Sequence, residues 1–367
     1  MIQKERILVG MSGGVDSSAV CMLLQDEGYE VVGLTLRMWD VPSQFSTPQQ
    51  EEPNHIIEAR ELANRLGIEH HTLDIREEFR REVVQDYIDE YMRGRTPNPC
   101  VMCNRFFKWK YLLDEANRLQ CHRIATGHYA RIVDCDGTPM LARGIDPKKD
   151  QSYFLWRLTQ EQLERTIFPL GNRDKQEIKE YVRQKGFEQK ATKKESMEAC
   201  FVPDDYRDFL REMIPQLDEQ VKDGYFVDNV GRKLGHHKGY PFYTIGQRKG
   251  LEIALGHPAY VIRINAGKNT IRLGTAEELL QQTAILSGVH YNTQYRPHNP
   301  LTVRIRYRSS AIEASIEMQD DGHAIVHFAS PVSALTPGQS AVIYDGDVVV
   351  GGGIIEDNKL LKKYQHP

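Results

Sequence analysis

The 367-residue sequence has few cysteines, no long apolar run and no strong charge of either sign. Six cysteines are too sparse for a disulfide scaffold, and Cys21 and Cys121 read as ordinary reduced thiols, so any cysteine with a role here is chemical rather than structural. No stretch reaches the roughly 18 consecutive apolar residues that a membrane-crossing helix needs. The opening Met1-Ile2-Gln3-Lys4-Glu5-Arg6 runs toward a strand without an apolar signal segment. These absences predict a soluble, cytoplasmic protein. A formal charge of −4 excludes a protein that is basic throughout, although a local basic stripe stays compatible with nucleic acid. The length predicts two or three domains, and no internal repeat is visible.

Two common phosphate-loop signatures are missing as well. The chain has no GxxxxGK[ST] ending, and it lacks the third glycine and downstream acid that give GxGxxG its dinucleotide meaning. What is present is Gly10-Met11-Ser12-Gly13-Gly14-Val15-Asp16-Ser17-Ser18, set between the apolar Arg6-Ile7-Leu8-Val9 and the helical pattern of Ser18-Ala19-Val20-Cys21-Met22-Leu23-Leu24. Small residues at Gly10, Ser12, Gly13 and Gly14 let backbone N–H groups approach an anion, and the following helix aims its positive end at the same place. A nucleotide pyrophosphate fits that cradle.

From residue 6 to about 135, short apolar strands alternate with helical patterns: Arg6 to Met11, a helix from Ser17, Val31 to Met38, a helix from Ile56, His71 to Ile75, helices from Glu77 and Trp109, then His122 to Ala130. That alternation predicts a parallel sheet wrapped by helices, with the ligand at the carboxyl ends of the strands. Residues 41–53, poor in apolar side chains, read as a mobile surface loop beside the site. The expected domains are a catalytic unit over 1–205, a small central domain over 206–281, and a C-terminal antiparallel β-barrel over 282–367 of a kind often used to grip RNA. The barrel is read from the period-two alternation at Leu301, Val303, Ile305, Tyr307 and at Ile312, Ala314, Ile316, Met318, and from the hairpin signal Asp345-Gly346. Tyr240, Phe242 and Tyr243 either stack on unpaired nucleotides or fill the core of the central domain, and His236-His237 reads as loop.

Cys100-Val101-Met102-Cys103 follows the turn-forming Gly94-Arg95-Thr96-Pro97-Asn98-Pro99. Zinc, redox and sulfur-transfer roles compete for this pair. A structural zinc site wants four ligands, and Cys21, Cys121, Cys135 and Cys200 supply no second closely spaced pair. A thioredoxin-like role leaves the nucleotide loop idle, whereas sulfur transfer uses both. Arg93, Arg95, Arg105, Lys108, Lys110 and Arg118 surround the pair, a setting that favours a thiolate and draws a polyanion.

SGGVDSS resembles the PP-loop of the N-type ATP pyrophosphatases, which split ATP between the α and β phosphates to adenylate a carbonyl oxygen. Together with Gly94 to Asn104 and Glu195-Ser196-Met197-Glu198-Ala199-Cys200-Phe201, the chain resembles the bacterial tRNA-specific 2-thiouridylases nearly end to end. The likeness includes Gly127-His128-Tyr129-Ala130, Lys149-Asp150-Gln151-Ser152-Tyr153, Gly246-Gln247-Arg248-Lys249-Gly250, Arg306-Tyr307-Arg308 and Gly351-Gly352-Gly353.

The resemblance implies an α/β fold and a sulfurtransferase that adenylates O2 of the wobble uridine and replaces it with sulfur. It makes Cys103 and Cys200 the catalytic pair, with Cys200 carrying the persulfide and the two ending as a disulfide. ATP, with its Mg²⁺, maps to Gly10, Met11, Ser12, Gly13, Gly14, Val15, Asp16, Ser17, Met38 and Gly127. The target base maps to Asn98, Pro99 and Cys100, and tRNA to His128, Lys149, Asp150, Gln151, Arg306, Tyr307 and Gln339. Partners are the anticodon region of tRNA and a sulfur-relay or cysteine desulfurase donor; no resident metal is implied. Where many members read Asn-Pro-Asp, this chain has Asn98-Pro99-Cys100, so an acid or base role of that aspartate passes to a thiol or lies elsewhere. Two rival readings are a PP-loop ligase acting on a small metabolite, which needs neither cysteine, and an RNA-binding module with a vestigial loop.

Overall fold

The computed structural model describes residues 4–41, 44–47, 49–188, 199–292 and 295–364. Two compact units emerge. The first comprises Met1–Val84, Cys100–Pro203 and Asp347–Val350, and the second Gln85–Pro99, Asp204–Gly346 and Gly351–Pro367.

In the first unit β1 (Arg6–Gly10) is the centre of a parallel sheet, flanked by β2 (Glu30–Arg37) with β3 (Glu69–Asp74) beyond it, and on the other side by β4 (Arg123–Ala125). Ile7, Leu8 and Val9 are buried, as expected for a strand covered on both faces. Helix α1 (Val15–Asp26) is buried over most of its length and joins a cluster with Ala59, Leu62, Ala63, Ile178 and Val182. Helix α2 (Asn54–Leu66) turns Ile56, Ala59, Leu62 and Ala63 inward and stops at Gly67, whose φ of 65° is one a glycine adopts without strain. The run expected as one strand from His122 to Ala130 is broken. β4 ends at Ala125, and Thr126 to Tyr129 turn away before β5 (Ala130–Cys135) pairs with β6 (Thr138–Arg143). Asp136 and Gly137, at φ 53° and 81°, make that hairpin turn. Of the 41–53 segment, Gln50 accepts from the Ser46 amide (2.8 Å) and donates to Asn54 (3.0 Å).

The sheet order is β3-β2-β1-β4-β7, β7 being the short strand Thr166–Ile167 beyond β4, and it reverses its direction of growth between β1 and β4. In open α/β sheets, such a reversal opens a crevice at the carboxyl ends of the strands.

The second unit contains two β structures. In the first, β8 (Gly224–Val227), β9 (Lys233–His237), β10 (Tyr260–Asn265) and β11 (Thr270–Gly274) form a sheet of order β10-β11-β8-β9. His236 and His237 therefore end a strand rather than a loop, and Tyr240, Phe242 and Tyr243 are all buried, which gives them to the core. In the other, β12 (Leu280–Tyr291), β13 (Thr302–Arg304), β14 (Ile312–Met318), β15 (Ala324–Ser333), β16 (Ser340–Asp345) and β17 (Val348–Ile355) run in the order β12-β15-β14-β13-β16-β17, and β12 pairs again with β17. The result is a closed antiparallel barrel of six strands, and closure removes the exposed edges of the sheet.

The strand expected over Leu301 to Tyr307 is cut short at Arg304. Ser309 draws the chain into a turn by accepting from the Arg306 amide (3.2 Å) and donating to the Arg306 carbonyl (2.9 Å). Among the described residues, no helix is long and apolar enough to cross a membrane.

Candidate active site

The loop after β1 is closed by its own serines. The Ser17 hydroxyl donates to the Gly14 carbonyl (3.2 Å) and accepts from the Ser12 amide (3.2 Å), while Ser18 donates to the same carbonyl (2.8 Å). Gly13 has φ 72°, and a Cβ there would lie 2.5 Å from the His55 carbonyl oxygen, so the position admits only glycine without rearrangement. Gly14 caps α1, whose first amides point into the loop. Gly127 approaches from the end of β4, where a Cβ would sit 3.0 Å from both the Asp16 Cβ and the Ser17 amide nitrogen. Met38 follows β2 directly. Residues 10–17, Met38 and Gly127 thus stand at the carboxyl ends of three adjacent strands, β2, β1 and β4.

One partner of this loop escaped sequence reasoning. Lys175, buried and at the first position of the helix Lys175–Gln184, places Nζ 2.7 and 2.8 Å from the two Asp16 carboxylate oxygens, and the Tyr129 hydroxyl donates to the first of them (2.9 Å). Asp174 fixes that helix start through a reciprocal capping box with Glu177. Both Asp16 oxygens are committed, and among the described residues no group of three or more His, Cys, Asp or Glu side chains is arranged to hold a metal ion.

The thiols lie in the same unit. Cys100 and Cys103 occupy the short helix Pro99–Cys103, which continues through a π-helical turn, Asn104–Lys108, into the helix Trp109–Arg118. Cys200 sits in an exposed turn, with Val202 N–H donating to Ala199 (2.9 Å). Glu195 to Glu198 of its motif lie outside the described residues. Two edge-to-face contacts of Phe79 join the thiol-bearing segments: its ring centroid is 5.9 Å from that of Phe107 in the π turn and 5.7 Å from that of Phe201. Cys100, Cys103 and Cys200 are close enough to act on one another electrostatically, and all six cysteines are free thiols.

The basic surroundings do not lower these thiols as the sequence led one to expect. Burial pushes Cys103 up to about 12 and Cys100 up to about 11, and the protein atoms packed around the Cys200 thiol raise it as well, although its residue reaches solvent; Lys108 opposes the rise in all three without overcoming it. The other five cations exert no such pull. Arg93 pairs with Glu90, Arg95 with Glu90 and Glu356, and Arg118 with Glu115, while Arg105 donates to Gln162 (2.8 Å) and Lys110 lies over the Tyr111 ring. Well below a thiol pKa, the thiolate fraction rises about tenfold per pH unit. Alkylation of Cys103 in the free protein is accordingly expected to climb about tenfold per unit from pH 7 to 10 without levelling, as read by mass spectrometry of the labelled peptide; a plateau by pH 8 would contradict this.

His128 follows Gly127, with Nδ1 2.9 Å from the Thr126 hydroxyl, and burial together with Lys108 lowers it to about 3, so the ring is neutral. Asp150 is 3 % exposed and accepts from the Gly144 (3.2 Å) and Ser152 (3.1 Å) amides. Its carboxylate thereby shapes the loop that carries Lys149 and Gln151. Gln151 accepts from the Tyr129 amide (3.0 Å), and Lys149 beside it is partly exposed.

In the second unit, Asn98 and Pro99 end the segment Gln85–Pro99. Gln339 donates to the Thr96 and Pro97 carbonyls (3.0 Å each), which ties the barrel to the turn before Asn98. Arg306 donates to the carbonyls of Ile245 (3.3 Å) and Ala334 (2.9 Å) and to the Thr336 hydroxyl (2.8 Å), and Tyr307 lies in the same turn.

Family models agree with this architecture. Residues 5–204 match the tRNA methyl transferase HUP domain, 207–275 the tRNA methyl transferase PRC-barrel domain, and 281–355 the aminomethyltransferase beta-barrel domain. The fold is thus that of a HUP-type α/β protein carrying PRC-barrel and β-barrel modules. The tRNA-specific 2-thiouridylase MnmA 3 of Phocaeicola vulgatus is 55% identical over 98% of this chain and 96% of its own length. MnmA 3 of Bacteroides fragilis is 51% identical over 97% and 95%, and MnmA of Amoebophilus asiaticus 47% over 97% and 96%. The chain belongs to the MnmA family of tRNA-specific 2-thiouridylases.

Proposed function

We propose that the protein is an ATP-dependent tRNA-uridine 2-sulfurtransferase acting on the wobble uridine. The observation that carries this reading is the joint presence, in one compact unit, of the phosphate-cradling loop and of Cys103 and Cys200 within electrostatic reach of each other. A metabolite ligase has use for the loop alone and an RNA-binding module for neither.

In this reading the loop binds ATP as its magnesium complex, the ion being carried by the nucleotide. Uridine O2 attacks the α phosphorus and pyrophosphate leaves against the α1 N-terminus, whose amides stabilise the departing charge. Base contact comes from Asn98, Pro99 and Cys100; a thiol raised to about 11 is protonated at neutral pH and suits proton donation. A donor protein loads Cys200 with sulfur. The terminal sulfur then reaches C2 by one of two routes, attacking directly from the persulfide or as sulfide released by Cys103. AMP departs with O2, and Cys103 and Cys200 end as a disulfide that an external thiol reductant reopens. His128, the segment Lys149 to Gln151 including Asp150, Arg306, Tyr307 and Gln339 are assigned to tRNA binding. A reducing, cytoplasmic setting fits this cycle.

Gly13→Ala should weaken ATP binding by at least about tenfold in calorimetric titration, because the Cβ forces the loop off the His55 carbonyl. Gly67→Ala, with open space around it, should cost stability by about 1 kcal/mol and leave ATP affinity unchanged. Pyrophosphate release decides among the three readings. Release strictly dependent on tRNA supports the sulfurtransferase. Release prompted by a small metabolite would favour the ligase, and the absence of release under all conditions the binding module.

A further inference from the structure

Among the described residues, Lys108 is the cation that acts on Cys100, Cys103 and Cys200 alike. It is half-buried, and among the described residues it has no carboxylate partner. Among the described residues, the titratable groups within its electrostatic reach are Cys100 and Cys103 on its own helical segment, Cys200 from the turn before Phe201, and neutral His128 after the end of β4. Burial disfavours its charge, and the three thiols more than compensate, so its pKa lies above the ordinary lysine value.

The backbone explains how one side chain comes to face all of them. Between Cys103 and Lys108 the helix is locally π-wound, with the Trp109 amide bonded to the Asn104 carbonyl. A π turn brings residues five apart onto one face, where an α-helix would offset them, and π turns of this kind concentrate at functional sites. Cys103 and Lys108 are five apart, and both the Lys108 backbone and its charge act to favour the Cys103 thiolate. Phe107, the residue before Lys108, packs on Phe79, which packs on Phe201 beside Cys200.

We propose that Lys108 is a positioning residue of the sulfur-transfer step, a countercharge shared by the sulfur anions formed at Cys103 and Cys200. The inference rests on the functional reading above, since only a reaction that makes anionic sulfur at both positions requires a shared cation. In every form of the cycle, negative sulfur is generated at Cys103 as thiolate or at Cys200 as persulfide, in surroundings that otherwise disfavour charge. A nearby ammonium stabilises the anion in both places. Its role is electrostatic and forms no covalent bond.

The test compares Lys108→Gln and Lys108→Arg with the unaltered protein, reading iodoacetamide alkylation of Cys103 and Cys200 by mass spectrometry as a function of pH, without ATP or tRNA. Lys108→Gln should slow both sites about tenfold at pH 8, and Lys108→Arg should restore them to within threefold. In full reactions, Lys108→Gln should retain tRNA-dependent pyrophosphate release while 2-thiouridine formation falls about tenfold. Unchanged alkylation in Lys108→Gln, or alkylation in Lys108→Arg as slow as in Lys108→Gln, would overturn the proposal. If the glutamine variant does not fold, the unaltered protein still decides. A cation at the thiols raises the iodoacetate-to-iodoacetamide rate ratio above that of a free small-molecule thiol measured alongside, and a ratio at or below the free-thiol value overturns the proposal. Failure of the functional reading looks different: the alkylation effects persist while no thiouridine forms even in the unaltered protein.

Discussion

Cys200→Ser is expected to abolish 2-thiouridine formation, and Cys103→Ser to do the same, each by on the order of 10³-fold or more. The two losses should not add. A relay that passes through both sulfurs is already broken when one is gone, so the double variant is no worse than either single one. The serine hydroxyl neither carries a persulfide nor resolves one, and it leaves the packing nearly unchanged. Binding of tRNA should therefore stay within a few fold of the unaltered protein by filter binding, and ATP- and tRNA-dependent pyrophosphate release should survive, since adenylation uses neither Cys103 nor Cys200. Retained thiolation in either single variant would remove the sulfur-relay assignment.

Lys175→Met should disable the nucleotide loop from the far side. Lys175 is buried with its ammonium on both oxygens of Asp16, so removing it leaves an unpaired carboxylate beside the incoming triphosphate. Breaking a buried pair by deleting one partner costs about 3–5 kcal/mol, and the partial exposure of Asp16 reduces that to about 1–3 kcal/mol here. The expected outcome is a lowered melting temperature and ATP affinity weakened by more than about tenfold, both measurable on the purified protein. Asp16→Asn added to Lys175→Met should recover part of the affinity by removing the repelling charge. A double variant no better than Lys175→Met would show that the pair acts only through packing.

Lys175 also shows where sequence reading stops. The loop at 10–18 is legible because its determinants are adjacent: glycines at the points of close approach, serines that close the turn, and a strand and helix on either side. Asp16 and Lys175 are 159 positions apart, and nothing in the local pattern of either residue names the other. The electrostatics of the thiols failed for a related reason. Counting six cations near Cys100 and Cys103 leaves out Glu90 and Glu356, which take up Arg95, and the burial that outweighs Lys108. The barrel and the parallel sheet follow from periodicity, because period two and strand–helix alternation are properties of contiguous residues. Arg306 departs from that pattern. Its alternation reads as a strand, yet its guanidinium meets carbonyls at Ile245 and Ala334, and the chain turns there instead. The π turn at Asn104–Lys108 has no sequence signature at all, and it is what brings Lys108 onto the Cys103 face.

Nucleoside mass spectrometry of a single-turnover reaction tests the central claim most directly. The protein, loaded with persulfide on Cys200, is mixed with ATP and an unmodified tRNA bearing a wobble uridine. The tRNA is then digested while AMP and pyrophosphate are quantified in the same sample. The account predicts 2-thiouridine, AMP and pyrophosphate in equal amounts, with Cys103 and Cys200 recovered as a disulfide. AMP and pyrophosphate without 2-thiouridine, or 2-thiouridine formed without ATP cleavage, would contradict it.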